Sequence, residues 1–122
     1  MKIRIRGNSV RFRLSMSEVE ALSQKGYFEE CTSFPSGVFK YAIRAAAGID
    51  TLSAGFEDDT ITLLVPDREA RAWAGSSEVG YRHNLDLPGG KQLALLLEKD
   101  FACLDEREED QSDNYPNPKA EK

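Results

Sequence analysis

The chain has 122 residues, a net charge of −5, 40% hydrophobic residues and 30% charged ones. That length sets one domain as the natural expectation and buries enough surface to fold without a disulfide or metal staple. The composition excludes a disordered chain, no apolar run approaches the ~18 residues of a membrane span, and an acidic total argues against general nucleic-acid binding, whose affinity comes from neutralising phosphates.

The opening MKIRIRG puts charges where a secretion signal has its apolar stretch, so a cytoplasmic location is expected. Lys2, Arg4 and Arg6 alternate with Ile3 and Ile5, Gly7-Asn8 is a turn signal, and Arg11 and Arg13 then alternate with Val10, Phe12 and Leu14. Pairing the two strands puts five cations on one face of a hairpin and the apolar residues on the other, toward the core. Ser15 to Glu18 fits a helix-capping box, Met16, Val19 and Leu22 recur at helical spacing, and Gly26 is a stop. Tyr27 to Phe34 and Val38 to Ala46 read as strands around Pro35-Ser36-Gly37.

The second half repeats the same order. Leu52 to Glu57 and Thr60 to Val65 form a hairpin around Asp58-Asp59, and Pro66-Asp67 starts a helix with Asp67 as N-cap. A strand at Arg82 to Leu87 turns at Pro88-Gly89-Gly90 into Gln92 to Glu98, whose run of leucines suits a central strand. Val10, Phe12 and Leu14 fall on Ile61, Leu63 and Val65 at an offset of 51 residues. The expected fold is a single α+β domain over residues 1–104. It is built from two ββαββ units with two short helices, and its mainly antiparallel sheet of about eight strands is open and bent or barrel-like. Short connections favour pairing between neighbouring strands.

An extended acidic C-terminal tail occupies residues 105–122 and holds Pro116 and Pro118. Residues 1–100 carry 13 Lys/Arg and 14 Asp/Glu, whereas residues 101–122 carry 3 and 7, so the chain starts positive and ends negative. Lys2, Arg4, Arg6, Arg11 and Arg13 form a candidate anion-binding face, since Arg pairs suit carboxylates and phosphates alike. Such a face inside a barrel favours a small anionic ligand; outside, it favours solvation or a protein partner. The acidic tail either supplies its counter-charge or competes for it.

Catalytic signals are thin. His83 is the only histidine, and Cys31 and Cys103 read as partly buried free thiols at no metal-ligand spacing. A zinc site would need Cys31, His83 and Cys103 to converge. Asp105, Glu109, Asp110 and Asp113 offer carboxylates to a hard cation, but without the order or glycine of a calcium-binding loop. No phosphate-cradling glycine motif occurs. The expectation is a non-enzymatic binding or interaction protein without cofactor, with an enzyme or phosphate-ligand binder using the basic face as the alternative.

The opening KIRIRGNSVRFRLSMSEVE and the closing LLLEKDFACLDEREEDQSDNYPNP together resemble a family of small uncharacterised bacterial proteins, of the Bacteroidota type, over nearly the whole chain. The resemblance implies no catalytic residue. The basic strands also invite comparison with triphosphate-binding tunnel proteins, which line a barrel with cations. Their first strand alternates Glu before Lys, whereas Lys2, Arg4 and Arg6 stand here, so the comparison keeps anion binding and drops hydrolysis.

Overall fold

The structure, a computed structural model, describes residues 1–101. The first hairpin pairs β1 (Lys2–Ile5) with β2 (Ser9–Leu14), Lys2 opposite Arg13 and Arg4 opposite Arg11. The capping box then forms as the sequence requires. Glu18 N–H donates to Ser15 Oγ at 3.4 Å, and Ser15 N–H donates to Glu18 Oε1 at 2.7 Å, starting α1 (Met16–Lys25). Gly26 ends the helix with φ +76°, and a Cβ there would stand 3.1 Å from the Arg71 guanidinium.

β3 (Tyr27–Phe34) and β4 (Gly37–Ala46) form the second hairpin. β5 (Ser53–Glu57) and β6 (Thr60–Pro66) form the third, around Asp58 and Asp59 at φ +52° and +57°. Short polar side chains tolerate that left-handed pair best after glycine. α2 (Asp67–Trp73) comes next, followed by β7 (Gly80–Asp86) and β8 (Gln92–Lys99), the last strands among the described residues. The expected cap of α2 is displaced by one residue. Pro66 occupies the N-cap without a side-chain bond, and Asp67 sits inside the first turn, accepting from Arg71 at 3.2 Å.

Among the described residues eight strands divide into two four-stranded sheets, ordered β1-β2-β8-β7 and β3-β4-β6-β5, with no closed barrel. The α+β, mainly antiparallel expectation holds, but each sheet has a parallel pair at its centre: β2 with β8, and β4 with β6. Neighbouring strands therefore do not pair throughout. α1 carries the chain from β2 in the first sheet to β3 in the second, and α2 carries it back from β6 to β7. The hydrophobic stripe of each helix must be covered, and laying each helix across an end of the two sheets covers both at once.

The two inner faces meet around Phe12, Leu14, Ile43, Leu63, Val65, Leu95 and Leu97. Leu22 of α1 and Trp73 of α2 plug one end, both fully buried. Each such side chain contributes roughly 1.5–3 kcal/mol by leaving water. The helices are clamped together by polar contacts. Ser23 Oγ donates to Ala70 O at 2.7 Å, and Arg71 Nη1 donates to Ser23 O at 3.2 Å, a carbonyl in the last turn of α1. Trp73 Nε1 donates to Glu78 O at 2.8 Å, so the buried indole leaves no polar atom unpaired. The Met1 ammonium, just before the first strand, ties the sheets together by pairing with Glu18 of α1 and with Glu30 of β3 at 3.0 Å. Burial opposes its charge, yet the hydrogen bonds to Glu18 and Glu30 outweigh that and raise its pKa above the usual amino-terminal value.

Candidate functional site: an apolar pocket and a basic sheet face

Both helices come after strands that run to the same end of the molecule, so the four hairpin turns gather at the opposite end. Neither α1 nor α2 covers that end, and among the described residues the inner faces are left open there. A cavity of about 340 Å³ lies between the sheets. The first sheet lines it with Ile5, Val10, Phe12, Leu93 and Leu95. The second contributes Phe39, Ala54, Gly55, Phe56 and Ile61. Among the described residues its wall carries no polar side chain. Ile5 and Phe56, on the edge strands β1 and β5, are 56% and 65% exposed, an unusual position for such large apolar groups at the mouth of a cavity.

The expected basic face also forms, and it lies outside. Strand alternation sends Phe12, Leu95 and Leu97 inward, so Arg11, Arg13, Leu96 and Glu98 stand on the outer face of the first sheet. Lys2 and Arg4 join them through β1; Arg6 falls just beyond that strand. The outward position is a correction to the tunnel comparison, because these cations line no interior. One transverse row reads Arg4, Arg11, Leu96, Arg82, so Arg82 of β7 belongs to the same face. Arg11 Nε and Arg13 Nε approach the same Glu98 Oε1 at 3.7 and 3.4 Å, and Lys2 Nζ pairs with Asp100 at 3.0 Å. Among the described residues Arg4, Arg6 and Arg82 have no ion-pair partner.

Sequence reasoning missed Arg82, Glu98 and Asp100. Alternation along β7 shows Arg82 pointing away from Tyr81 and Leu85, but nothing in the sequence says that β7 and β8 join the first hairpin. That pairing spans 85 residues between Arg13 and Glu98.

The remaining candidates fare differently. His83 is half-buried beside Leu95, on the inward side of β7. Cys31 is an exposed free thiol opposite Lys40, not a partly buried one. Among the described residues no group of three His, Cys, Asp or Glu side chains is placed to hold a metal ion, and Cys103, the third member of the zinc set with Cys31 and His83, lies outside the described residues. Asp105, Glu109, Asp110, Asp113 and Cys103 lie outside the described residues, as does the acidic segment 105–122. No helix among the described residues is long and apolar enough to cross a membrane.

Fold and site together define a small two-sheet α+β protein, capped by helices at one end and open to an apolar pocket at the other. Comparison with known families adds an assignment without an activity. The chain belongs to a family of unknown function, DUF7009, whose pattern matches residues 1–119. No curated protein and no solved structure matches it.

Proposed function

We propose that this is a non-enzymatic binding protein that takes a small, largely apolar molecule between its two sheets. The supporting observation is the cavity of about 340 Å³ with its wholly apolar wall. Such a volume lies within the ~300–1,000 Å³ of small-molecule sites, and a wall without polar side chains selects chiefly by shape and hydrophobic burial. Among the described residues the wall carries no nucleophile, acid or base, which supports binding over chemistry. The expectation of a cytoplasmic bacterial protein is kept with this reading; the free exposed Cys31 suits a reducing compartment.

The test is a titration with the uncharged apolar fluorophore N-phenylnaphthylamine. Saturable fluorescence enhancement at one site is expected. Ala54→Phe projects a ring into the cavity from β5 and should weaken binding by roughly tenfold or more, about 1.4 kcal/mol. Circular dichroism checks that the variant is folded. Unsaturable enhancement, or equal affinity in the folded variant, overturns the proposal.

A second reading, anion recognition by the outer basic face, has its own support. Arg4 and Arg82 end a transverse row of three arginines, and neither has an ion-pair partner among the described residues. Like charges left together on a sheet are costly unless water or an anion screens them.

A further inference from the structure

β3 is an outermost strand of the second sheet, and its free edge carries unanswered backbone groups. Ala45 N–H donates to Gly26 O at 2.9 Å, one place before the pairing of Tyr27 with Arg44. In an antiparallel ladder only every second residue turns its N–H and C=O to the neighbouring strand. Phe28, Glu30, Thr32 and Phe34 therefore bond to β4, whereas Tyr27, Glu29, Cys31 and Ser33 turn their N–H and C=O to the edge. Among the described residues none of those four N–H groups finds an acceptor.

The other edges are guarded in the ways that keep strands from pairing, by short length and by charge. β1 is four residues long and carries Lys2 and Arg4, β5 is five residues long and ends at Glu57 beside the Asp58-Asp59 turn, and β7 carries Arg82 and Asp86. β3 runs for eight residues, YFEECTSF, without Lys, Arg, Pro or Gly. Its two acids are already answered inside the chain. Glu29 accepts from the Tyr27 hydroxyl and pairs with Lys40 Nζ at 3.5 Å, and Glu30 pairs with the Met1 ammonium at 3.0 Å.

The strand is also complementary to itself. A two-fold axis at Glu29 or Glu30 would set an acid against its own copy. An axis at Cys31 sets Glu29 opposite Ser33, Glu30 opposite Thr32 and Phe28 opposite Phe34 of the second copy. Each acid then meets a hydroxyl, and Phe34, 57% exposed in the single chain, meets an aromatic ring. The residues facing each other across this ladder are the ones whose N–H and C=O point to the edge, and Pro35, which lacks an N–H, ends it.

We propose that β3 pairs antiparallel with β3 of a second copy about a two-fold axis at Cys31, joining their second sheets into one. The contact uses the same patch on both copies, so it closes at a dimer. One strand buries little surface, which places it among the weak interfaces.

Sedimentation equilibrium of the full chain from about 10 μM to 1 mM should carry the mass from 13.6 kDa toward twice that value. Cys31→Pro removes an N–H that faces the edge and none that bonds to β4, so the folded variant should stay monomeric. Ser33→Glu sets a carboxylate opposite Glu29 of the second copy and should weaken association roughly threefold to tenfold, whereas Ser33→Lys should tighten it by a similar factor. A change in fold stability alone would not give opposite signs at one position. In a Cys103→Ser background, diamide should link Cys31 to Cys31 of the second copy, the two thiols giving two protons and two electrons to the oxidant. Bonded antiparallel partners ~5.5 Å apart at Cα suit that bridge. A parent still monomeric at about 1 mM overturns the proposal and leaves the edge to an extended segment of another protein. A dimer that persists in folded Cys31→Pro, Ser33 variants that shift association the same way, or no linked dimer under diamide also overturns it. If Cys31→Pro does not fold, the Ser33 pair and the oxidation decide.

Discussion

Gly80 opens β7 opposite Glu98, and a single methyl group there tests the packing of the first sheet. A Cβ at this position would stand 2.3 Å from the Leu97 carbonyl oxygen, 3.1 Å from Glu98 Cα and 3.2 Å from Glu98 Cγ. Carbon–oxygen contacts between strands settle near ~3.3 Å, so Gly80→Ala forces β7 from β8 by about 1 Å. The obstacle is backbone, which cannot rotate away as a side chain would. Overpacking of this kind costs ~1–3 kcal/mol, and the strained ladder bonds put the expected loss near the upper end. Gly55→Ala is the matched control, since it lies in edge strand β5 with nothing within 4 Å of the added carbon. Its ordinary backbone angles leave only the gain from a less flexible unfolded chain, about 0.4–1 kcal/mol. At ~4 °C per kcal/mol, Gly80→Ala should melt roughly 8–12 °C below the parent and Gly55→Ala roughly 2–4 °C above it. Thermal melts by far-UV circular dichroism, with urea midpoints as a check on two-state behaviour, measure both. Equal Tm values for the two variants would refute the steric argument and the register of β7 on β8. Displacing Glu98 should also loosen Arg11 and Arg13, so the arginine Nε–H signals give a second readout at the candidate anion face.

Glu18 connects stability to pH. Burial opposes ionisation of its carboxyl, but the Met1 ammonium and the Ser15 hydrogen bonds hold its pKa below the ordinary value of 4.5. Its contribution is therefore present above pH 4.5 and lost as pH falls through the lower, folded value; that of the Met1 ammonium is present below pH 8.0 and lost as pH rises through its raised one. Glu18→Gln keeps the capping hydrogen bond but not the charge, so it should cost about 1 kcal/mol near neutrality and flatten the acid limb of a urea-midpoint profile; an unchanged limb would count against the pairing. Trp73→Phe strands the Glu78 carbonyl and leaves a cavity against Tyr81, whose ring centroid lies 5.5 Å away. A loss of about 2–3 kcal/mol is expected in urea unfolding followed by circular dichroism, and a cost below ~1 kcal/mol would mean that the helical plug is looser than described.

Local chemistry made much of the fold legible. Ser15 and Glu18 announce α1, the two-residue alternation from Lys2 to Leu14 announces a hairpin with one basic face, and Asp58-Asp59 marks a turn. These signals work because capping, side-chain alternation and left-handed turn angles depend on residues only a few positions apart. Asp67 shows where local reading slips, since Asp67 and Pro66 are both suited to a helix start and the backbone chose Pro66 as the cap.

Long-range pairing decided the rest. The sequence by itself determined which faces are apolar, which are charged, and the order in which strands and helices follow one another. It did not determine that β2 pairs with β8 rather than with its neighbours in the chain, nor that the helices would close one end and leave the other open. Both depend on how two amphipathic surfaces cover one another, a property of the whole assembly that no short window contains. Tertiary structure therefore placed Lys2, Arg4, Arg11 and Arg13 on an outer surface, added Arg82, Glu98 and Asp100 to them, and gathered ten scattered apolar residues into a pocket.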